Sequence, residues 1–286
     1  MQQDLAGKNF IITGANSGIG QVAAREFAQR GAHVIMACRS MERATPVADA
    51  IKRETGNSNV EVVQLDVSNL DSVRRCAEAL LARDMPIHAL LNNAGITAGL
   101  RGEKQLTNEG FEPTFGTNHL GHYLFTRLLL DRIKNTPGAR IVNTSSHSHY
   151  FAKKVDWDAL RKKPSFTGLR EYNVSKLANV LFTKELAKKL AGTGVTVYAT
   201  HPGQVATNIW NRLPGPLRKL FTRNFLTPEQ GARSIIHLAT APEVASQTGL
   251  YYDEHGKEKR PSRLSQDESL AATLWTKSAE WTGLPA

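Results

Sequence analysis

The feature that most constrains the fold is a regular alternation of short apolar runs with helix-like segments along the 286 residues. The runs that predict strands lie at 8–13, 33–38, 60–65, 87–91, 140–144, 195–200 and 250–252. Continuous apolar runs are typical of strands buried on both faces, and helical crossovers between strands make them parallel. We therefore predict an α/β fold: a doubly wound parallel sheet of about seven strands with helices on both faces.

The segments between these runs predict helices and loops. Helical spacing of apolar residues marks 19–30, 46–54, 69–83, 171–190 and 228–241, while 96–108, 147–170 and 203–227 read as irregular. After the sixth strand we expect only the helix 228–241, a short strand and a tail. Ligands of open α/β sheets bind at the carboxyl ends of the strands. We expect residues 1–286 to form a single dinucleotide-binding and catalytic domain with substrate loops at 147–170 and 203–227.

Composition excludes several classes of protein. The net charge is +10, but lysines and arginines are scattered and no nucleic-acid-binding motif accompanies them, so we expect no nucleic-acid partner. Two cysteines cannot form a disulfide framework. Neither a signal peptide nor an apolar run long enough to span a membrane is visible. These observations together predict a cytoplasmic location.

A glycine-rich turn follows the first strand. Gly14, Gly18 and Gly20 have the spacing G-x₃-G-x-G, and a helix begins within the turn. Glycines there allow a tight turn, a close backbone approach to a pyrophosphate, and packing of the helix near the strand. The helix N-terminus offers free N–H groups to the anion. This arrangement indicates a Rossmann-type dinucleotide site.

The end of the second strand indicates which dinucleotide is bound. A carboxylate at this position would bind the ribose 2′-hydroxyl of NAD, but the sequence is Cys38-Arg39-Ser40. Arg39 can pair with a 2′-phosphate through its guanidinium, which favours NADP(H). The alternative is that Arg39 is an ordinary solvated surface residue.

Two residues of the segment 172–176 suggest acid–base chemistry. Tyr172 and Lys176 are four residues apart, so on a helix they share one face. A nearby ammonium stabilises a phenolate and lowers the pKa of the tyrosine toward neutrality. Ser146, at the end of the fifth strand, can donate a hydrogen bond to a carbonyl oxygen. Taken alone, the pair favours the alternative of an exposed tyrosine above a solvated lysine.

In combination these motifs resemble the short-chain dehydrogenase/reductase family over nearly the whole chain. The matching segments are TGANSGIG (13–20), Asp66-Val67, Asn92-Asn93-Ala94-Gly95, Asn118, Ser146, YNVSK (172–176) and His201-Pro202-Gly203 with Thr207. Segments 38–40, 117–126, 175–186 and 197–205 are most similar to the retinol dehydrogenase-like branch, which includes WW-domain oxidoreductases. Tyr172 lies 26 positions after Ser146, about twice the usual separation, and the extra residues fit that branch.

The resemblance implies roles for individual residues. Tyr172 would be the general acid in carbonyl reduction and the base in alcohol oxidation, with Lys176 lowering its pKa. Ser146 would polarise the substrate oxygen, and Asn118 would hold a water in a proton relay to Lys176. The cofactor would bind Gly14, Asn16, Ser17, Gly18, Ile19, Gly20, Arg39, Asp66, Val67, Asn93, Ala94, Gly95, Tyr172, Lys176, Pro202, Gly203, Val205 and Thr207.

The activity implied is NADP(H)-dependent interconversion of a lipophilic aldehyde or ketone and its alcohol. Family members commonly form dimers or tetramers. An epimerase or dehydratase of the extended branch is disfavoured because that branch carries a large C-terminal substrate domain. The other alternative is a catalytically silent NADP-binding sensor or scaffold, although such proteins usually lack the tyrosine or the lysine.

Substrate contacts are expected from two loops. His147 and His149 would line the substrate mouth, as would Ile209, Trp210 and Leu213. The segment 209–226 mixes bulky apolar and basic residues. We favour a substrate lid, but it could also touch a membrane surface or form a packed pair of surface helices. His119, His122, His147 and His149 lack thiol or carboxylate partners, so we expect no metal.

Overall fold

The computed structural model describes residues 3–97, 105–205 and 225–286. Seven strands form one sheet in the order β3-β2-β1-β4-β5-β6-β7, and every neighbouring pair is parallel. The strands are β1 Asn9–Thr13, β2 His33–Cys38, β3 Val60–Gln64, β4 Ala89–Asn92, β5 Arg140–Thr144, β6 Thr196–Thr200 and β7 Leu250–Tyr252. The predicted doubly wound parallel sheet is confirmed.

Helices cover both faces of the sheet. They are α1 Gly18–Gln29, α2 Met41–Thr55, α3 Leu70–Leu81, α4 Gly121–Lys134, α5 Leu169–Lys189, α6 Pro228–Thr240 and α7 Glu268–Thr282. A helical turn Pro113–Phe115 and a π-helical turn Gly116–Leu120 lead directly into α4. Short 3₁₀ turns occur at His147–Phe151, Asp158–Arg161, Pro242–Val244 and Leu264–Gln266. No helix in the described ranges is long and apolar enough to cross a membrane.

The sheet separates two hydrophobic cores. Alternate residues of a strand point to opposite faces, so Ile11 joins the core under α3, α4, α5 and α7, while Phe10 and Ile12 join the core under α1, α2 and α6. Ile35 and Met36 divide in the same way on β2. Burial on both faces explains why the strands read as unbroken apolar runs.

Two helices begin where their capping residues dictate. The Asn69 side chain accepts a hydrogen bond from Ser72 N at the start of α3. In α2 the prediction was wrong, because the helix starts at Met41 rather than at Pro46. Ser40 caps it by accepting from Arg43 N, and Pro46 lies inside the helix.

The C-terminal region is more ordered than the predicted tail. Helix α7 packs against α5, with Leu274 and Trp275 buried. Asp267 caps its N-terminus by accepting from Leu270 N, and Gly283 ends it in the left-handed conformation with φ +66°. Both ends therefore carry ordinary helix signals. The predicted irregular stretch 147–170 also contains two 3₁₀ turns, and α5 begins at Leu169.

The strand order reverses at β1, whose neighbours are β2 and β4. The turns after β1 and β4 leave the sheet toward opposite sides, which opens a crevice between them. Beside it, α4 begins so close to the loop after β3 that a Cβ on Gly121 would lie 1.9 Å from the Val67 carbonyl oxygen. Only glycine fits this contact.

We predict that Gly121→Ala destabilises the protein by about 3 kcal/mol, because helix and loop must separate to relieve a backbone clash. The measurement is the free energy of unfolding in urea. Gly192→Ala is the control: a Cβ there meets nothing within 4 Å, and only the φ of +81° opposes it. Its cost is about 1 kcal/mol. Equal losses in the two variants would contradict the proposed close packing.

Candidate active site

A cleft of about 1790 Å³ lies at the carboxyl ends of the strands. Its walls include Gly14 after β1, Arg39 after β2, Asn93 after β4, Ser146 after β5 and His201 after β6. Every described residue predicted to bind the cofactor lines it, namely Gly14, Asn16, Ser17, Gly18, Ile19, Gly20, Arg39, Asp66, Val67, Asn93, Ala94, Gly95, Tyr172, Lys176, Pro202, Gly203 and Val205. Thr207 lies outside the described residues.

Close packing sets the glycine-rich turn against the loop after β4. A Cβ on Gly20 would lie 2.6 Å from Asn93 Nδ2 and from the Gly14 carbonyl oxygen. Gly14 has φ +67°, and a Cβ there would lie 3.0 Å from Ala94 Cα. No side chain caps α1 at Ser17, so the helix offers its first N–H groups to the cleft.

One end of the cleft is cationic. Arg39 and Arg43 both line it and are exposed. Cys38 is buried, and its sulfur accepts hydrogen bonds from the backbone of Ala15 and Asn16, so it supports the glycine turn. Arg43 was missed from the sequence. The helix was predicted to begin at Pro46, so Arg43 was not placed in it. In the structure α2 begins at Met41 and Arg43 lies in its first turn.

The π-helical turn before α4 fixes Asn118. Its Oδ1 accepts from Ile96 N at 2.8 Å, and its Nδ2 donates to the Ile96 carbonyl at 3.0 Å and to Ser175 Oγ at 3.0 Å. A Cβ on Gly95 would lie 3.3 Å from Asn118 Oδ1 and 3.4 Å from Lys176 Nζ. The side chains of Asn118 and Lys176 therefore both lie beside Gly95, although Asn118 itself is buried.

Ser146 and Tyr172 both line the cleft, and the Ser146 side chain is close enough to act as a hydrogen-bond donor toward the Tyr172 oxygen. The Ser146 hydroxyl also accepts from Ser148 N at 3.1 Å, which caps the turn His147–Phe151. The neighbouring Ser145 is buried and donates to the Lys176 carbonyl at 2.8 Å. Of the two serines, Ser146 is the one whose hydroxyl reaches Tyr172.

Lys176 is almost completely buried, with 4% of its surface exposed. Its Nζ donates to the Thr144 carbonyl at 3.1 Å and lies 5.6 Å from the centre of the Tyr172 ring. Burial penalises the ammonium and lowers the pKa of Lys176 to about 8.

The pKa of Tyr172 differs in direction from the sequence expectation. Burial raises it above the ordinary value of 10, and the hydrogen bond from Ser146 opposes this only in part. The expectation that the ammonium of Lys176 lowers it toward neutrality is therefore not met in this structure. Desolvation of the phenolate outweighs the stabilising contacts. The side chain is a neutral phenol at physiological pH and carries a proton to donate.

The predicted substrate residues divide into three groups. His147 lines the cleft. His149 does not: it is fully buried, its Nδ1 donates to the Ser146 carbonyl at 2.7 Å, and its Nε2 accepts from Ser262 N. Its two hydrogen bonds tie the turn to the C-terminal region. Ile209, Trp210 and Leu213 lie outside the described residues, as does most of the segment 209–226.

Several cleft residues were missed from the sequence. The apolar ones include Ile96, Leu106, Phe151, Leu169 and Leu226, and the polar ones include Glu254, His255 and Lys259. No motif marks the polar ones, because charged residues in a segment after the last strand are ordinarily surface residues. Only the pairing of β7 with β6 brings them to it.

His119 and His122 are buried on the π-helical turn and α4, and all four of their ring nitrogens contact hydrogen-bonding partners. Across the described ranges, no group of three or more His, Cys, Asp or Glu side chains is placed to hold a metal ion.

Comparison with known sequences identifies the protein family to which this fold and this cleft belong. A family model described as short chain dehydrogenase matches residues 8–215, and the chain belongs to that family of oxidoreductases. Within it, the chain is similar to retinol dehydrogenases. It is 42% identical to retinol dehydrogenase 12 of Mus musculus, over 98% of this chain and 88% of the relative. It is 40% identical to retinol dehydrogenase 13 of Homo sapiens, over 99% and 86%.

Solved structures agree with this assignment. An uncharacterized protein from Mycobacterium paratuberculosis superposes with a TM-score of 0.78 and 33% identity, covering 100% of this chain and 99% of the other. The 3-ketoacyl-(acyl-carrier-protein) reductase from Brucella melitensis, solved with NADH, gives a TM-score of 0.69 and 29% identity. That match covers 87% of this chain and 97% of the other. The predicted family and its retinol dehydrogenase-like branch are confirmed.

We predict that Lys176→Met stabilises the fold at pH 7 by about 2 kcal/mol, because it removes a buried ammonium. Below the folded pKa of about 8 the lysine is charged in both states and the full penalty applies; above the ordinary value of 10.5 it is neutral in both. The stability gain should therefore shrink as the pH rises from 8 to 10.5. Urea unfolding across this range measures it. Lys188→Met, on the exposed end of α5, should show no such trend.

Proposed function

We propose that the protein interconverts a lipophilic aldehyde or ketone and its alcohol with NADP(H), as one dinucleotide-binding and catalytic domain over 1–286. The observation that carries this is the convergence of Ser146, Tyr172 and Lys176 in one cleft with the glycine-rich turn. The residues proposed for acid–base chemistry and those proposed to bind the cofactor therefore line one continuous cleft.

The residues present fit a phosphorylated dinucleotide. The glycines at 14 and 20 let the turn pack closely against the loop after β4, and the uncapped start of α1 presents N–H groups to the cleft, where a pyrophosphate would bind. Arg39 and Arg43 supply two cations where a 2′-phosphate would lie, and β2 ends without a carboxylate to repel it. These features support NADP(H) over NAD(H).

The reaction assigns a task to each side chain. When bound, the nicotinamide ring supplies or accepts the hydride. The Ser146 and Tyr172 hydroxyls together can hold a carbonyl oxygen by two hydrogen bonds. Because burial keeps Tyr172 neutral, its phenol can donate the proton that the developing alkoxide needs. In the oxidative direction the same oxygen takes the proton back.

Lys176 supports this proton transfer in two ways. Its ammonium, held by the Thr144 carbonyl, favours the phenolate that Tyr172 becomes after donating its proton. Its lowered pKa of about 8 also lets it exchange protons near neutral pH. Asn118 lies with Lys176 beside Gly95, and in the proposed relay it would hold a water that returns protons to the lysine.

The wall of the cleft supports a lipophilic substrate. Ile96, Leu106 and Leu226 line it, and Phe151 and Leu169 stand at its mouth with 63% and 59% of their surfaces exposed. Large apolar side chains exposed beside a cleft are typical of binding surfaces. The retinol dehydrogenases to which the chain is similar are named for a lipophilic alcohol. The loops 147–170 and 203–227 would form this part of the site.

Tyr172→Phe tests the function directly. We expect turnover of NADPH with retinal-like, steroid and alkanal substrates to fall by about 10²–10⁴-fold, because a positioned proton donor is lost. Binding of NADPH should be nearly unchanged. The measurement is NADPH absorbance with a substrate panel. Tyr150→Phe is the control, since its hydroxyl bonds to the Arg260 carbonyl. Absence of turnover by the unmodified protein on the whole panel would favour a silent NADP-binding protein.

Arg39→Asp tests the choice of cofactor. The unmodified protein should bind NADPH more tightly than NADH, and the variant should reverse this order. The new carboxylate repels the 2′-phosphate and can accept from the ribose 2′-hydroxyl. Dissociation constants from fluorescence titration measure both effects. Arg53→Asp makes the same change of charge on an exposed site at the other end of α2 and should preserve the order. Equal affinities of the unmodified protein for both cofactors would rule out the assignment.

A further inference from the structure

His122 is buried between the two halves of the cleft, with 2% of its surface exposed. Its Nδ1 lies 3.1 Å from the Asn118 carbonyl oxygen, and its Nε2 lies 2.9 Å from Thr13 Oγ1. Asn118 belongs to the π-helical turn and Thr13 is the last residue of β1. The imidazole ring of His122 therefore connects β1, which precedes the glycine-rich turn, with the π-helical turn that contains Asn118.

The directions of these hydrogen bonds are fixed by chemistry. A carbonyl oxygen only accepts, so Nδ1 carries the proton and donates to Asn118. The unprotonated Nε2 must then accept, and the Thr13 hydroxyl donates to it at 2.9 Å in preference to the Leu91 carbonyl oxygen, which lies farther away at 3.4 Å. The Thr13 oxygen is left with its lone pairs, which accept from Asn93 N and Ala94 N, both at 2.9 Å. The chain of bonds thus continues into the loop after β4.

The network requires a neutral ring. Burial is the main cause that lowers the pKa of His122 to about 4; the hydrogen bond to Asn118 opposes the shift and the nearby ammonium of Lys176 adds to it. A protonated ring would present an N–H to Thr13 Oγ1, which already accepts from two backbone N–H groups. The charged form would therefore break the chain of bonds at Thr13.

We propose that His122 is a positioning residue. It sets the distance between the loops after β1 and β4, which would bind the cofactor, and the Asn118 and Lys176 side chains, and this distance is called the working separation. On one side it holds Thr13 and, through it, Asn93 and Ala94. On the other it holds the backbone of Asn118, whose side chain lies with that of Lys176 beside Gly95. This role rests on the proposed function, because the working separation is the one that the reaction needs.

His119, three residues earlier, provides the contrast. It is equally buried, but its Nε2 lies 3.1 Å from Ser278 Oγ on α7 and its Nδ1 lies 3.4 Å from Asn179 Oδ1. Its Nε2 contact leads to the C-terminal helix, and neither of its contacts reaches Thr13. Ser278→Ala therefore measures how much a buried histidine hydrogen bond contributes to folding stability when it does not reach Thr13.

The test compares His122→Phe, which keeps a ring but no hydrogen bond, with His122→Gln, which retains a donor and an acceptor. The Phe variant should lose about 10²-fold in kcat/KM, as small misplacements of reacting groups do. It should also weaken binding of whichever of NADPH or NADH the protein prefers. The Gln variant should recover most of both losses.

Thr13→Val gives an independent arm that leaves the ring in place. It should weaken cofactor binding as His122→Phe does, and the double variant should be no worse than the poorer single one, since both break one chain of bonds. Ser278→Ala is the matched control. It should lower the thermal midpoint and leave the cofactor dissociation constant unchanged. Nitrogen-15 NMR of the unmodified protein should show a neutral His122 protonated at Nδ1.

Any one of four results would overturn the proposal; the first three are a Gln variant no better than Phe, unchanged cofactor affinity in Thr13→Val and His122→Phe, and a His122 protonated at Nε2 only. An equal loss of affinity in Ser278→Ala would also overturn it, by showing a general effect of core damage. The affinity and NMR measurements do not need turnover. If the unmodified protein reduces no carbonyl compound, the proposed function fails while these measurements still decide the role of His122.

Discussion

Parallel pairing of the strands is the constraint on which the rest of the structure depends. It brings all carboxyl ends to one edge of the sheet, so turns far apart in sequence meet there. Because the order reverses at β1, the turns after β1 and β4 diverge and leave a crevice. The two hydrophobic cores, one on each face, hold the strands in this register. The topology of the sheet therefore creates the cleft, and the side chains that line it determine what the cleft can bind.

Within the cleft, burial acts differently on Lys176 and Tyr172. It lowers the pKa of the lysine and raises that of the tyrosine, so both groups are driven toward their neutral forms. The Thr144 carbonyl and Ser146 compensate for only part of this cost. The region around the pair is accordingly rich in buried polar groups that bond to one another, including Asn118, Ser175 and Asn179. Such networks make the site rigid when every member has a partner.

Most of the fold and much of the candidate site could be predicted from the sequence, because both produce local patterns. Strands buried on two faces read as apolar runs, and the glycine turn has a fixed spacing. Helix α4 was not assigned because most of its sides are buried, so it shows no apolar stripe. The start of helix α2 was predicted at Pro46 rather than at Met41, because that proline was taken as the first helical residue. His149 was misplaced because polarity alone does not show whether a side chain faces the cleft or the core.

Both cysteines of the chain are buried, Cys38 at 1% exposure and Cys76 at 5%. Desolvation of the thiolate raises the pKa of each to about 11, so at neutral pH both remain thiols. Thiols that are protonated and out of reach of solvent react slowly with alkylating reagents and oxidants. The folded protein therefore has a chemically silent background for thiol chemistry. A single cysteine introduced on its surface would be the sole point of attachment for a spectroscopic label or a solid support.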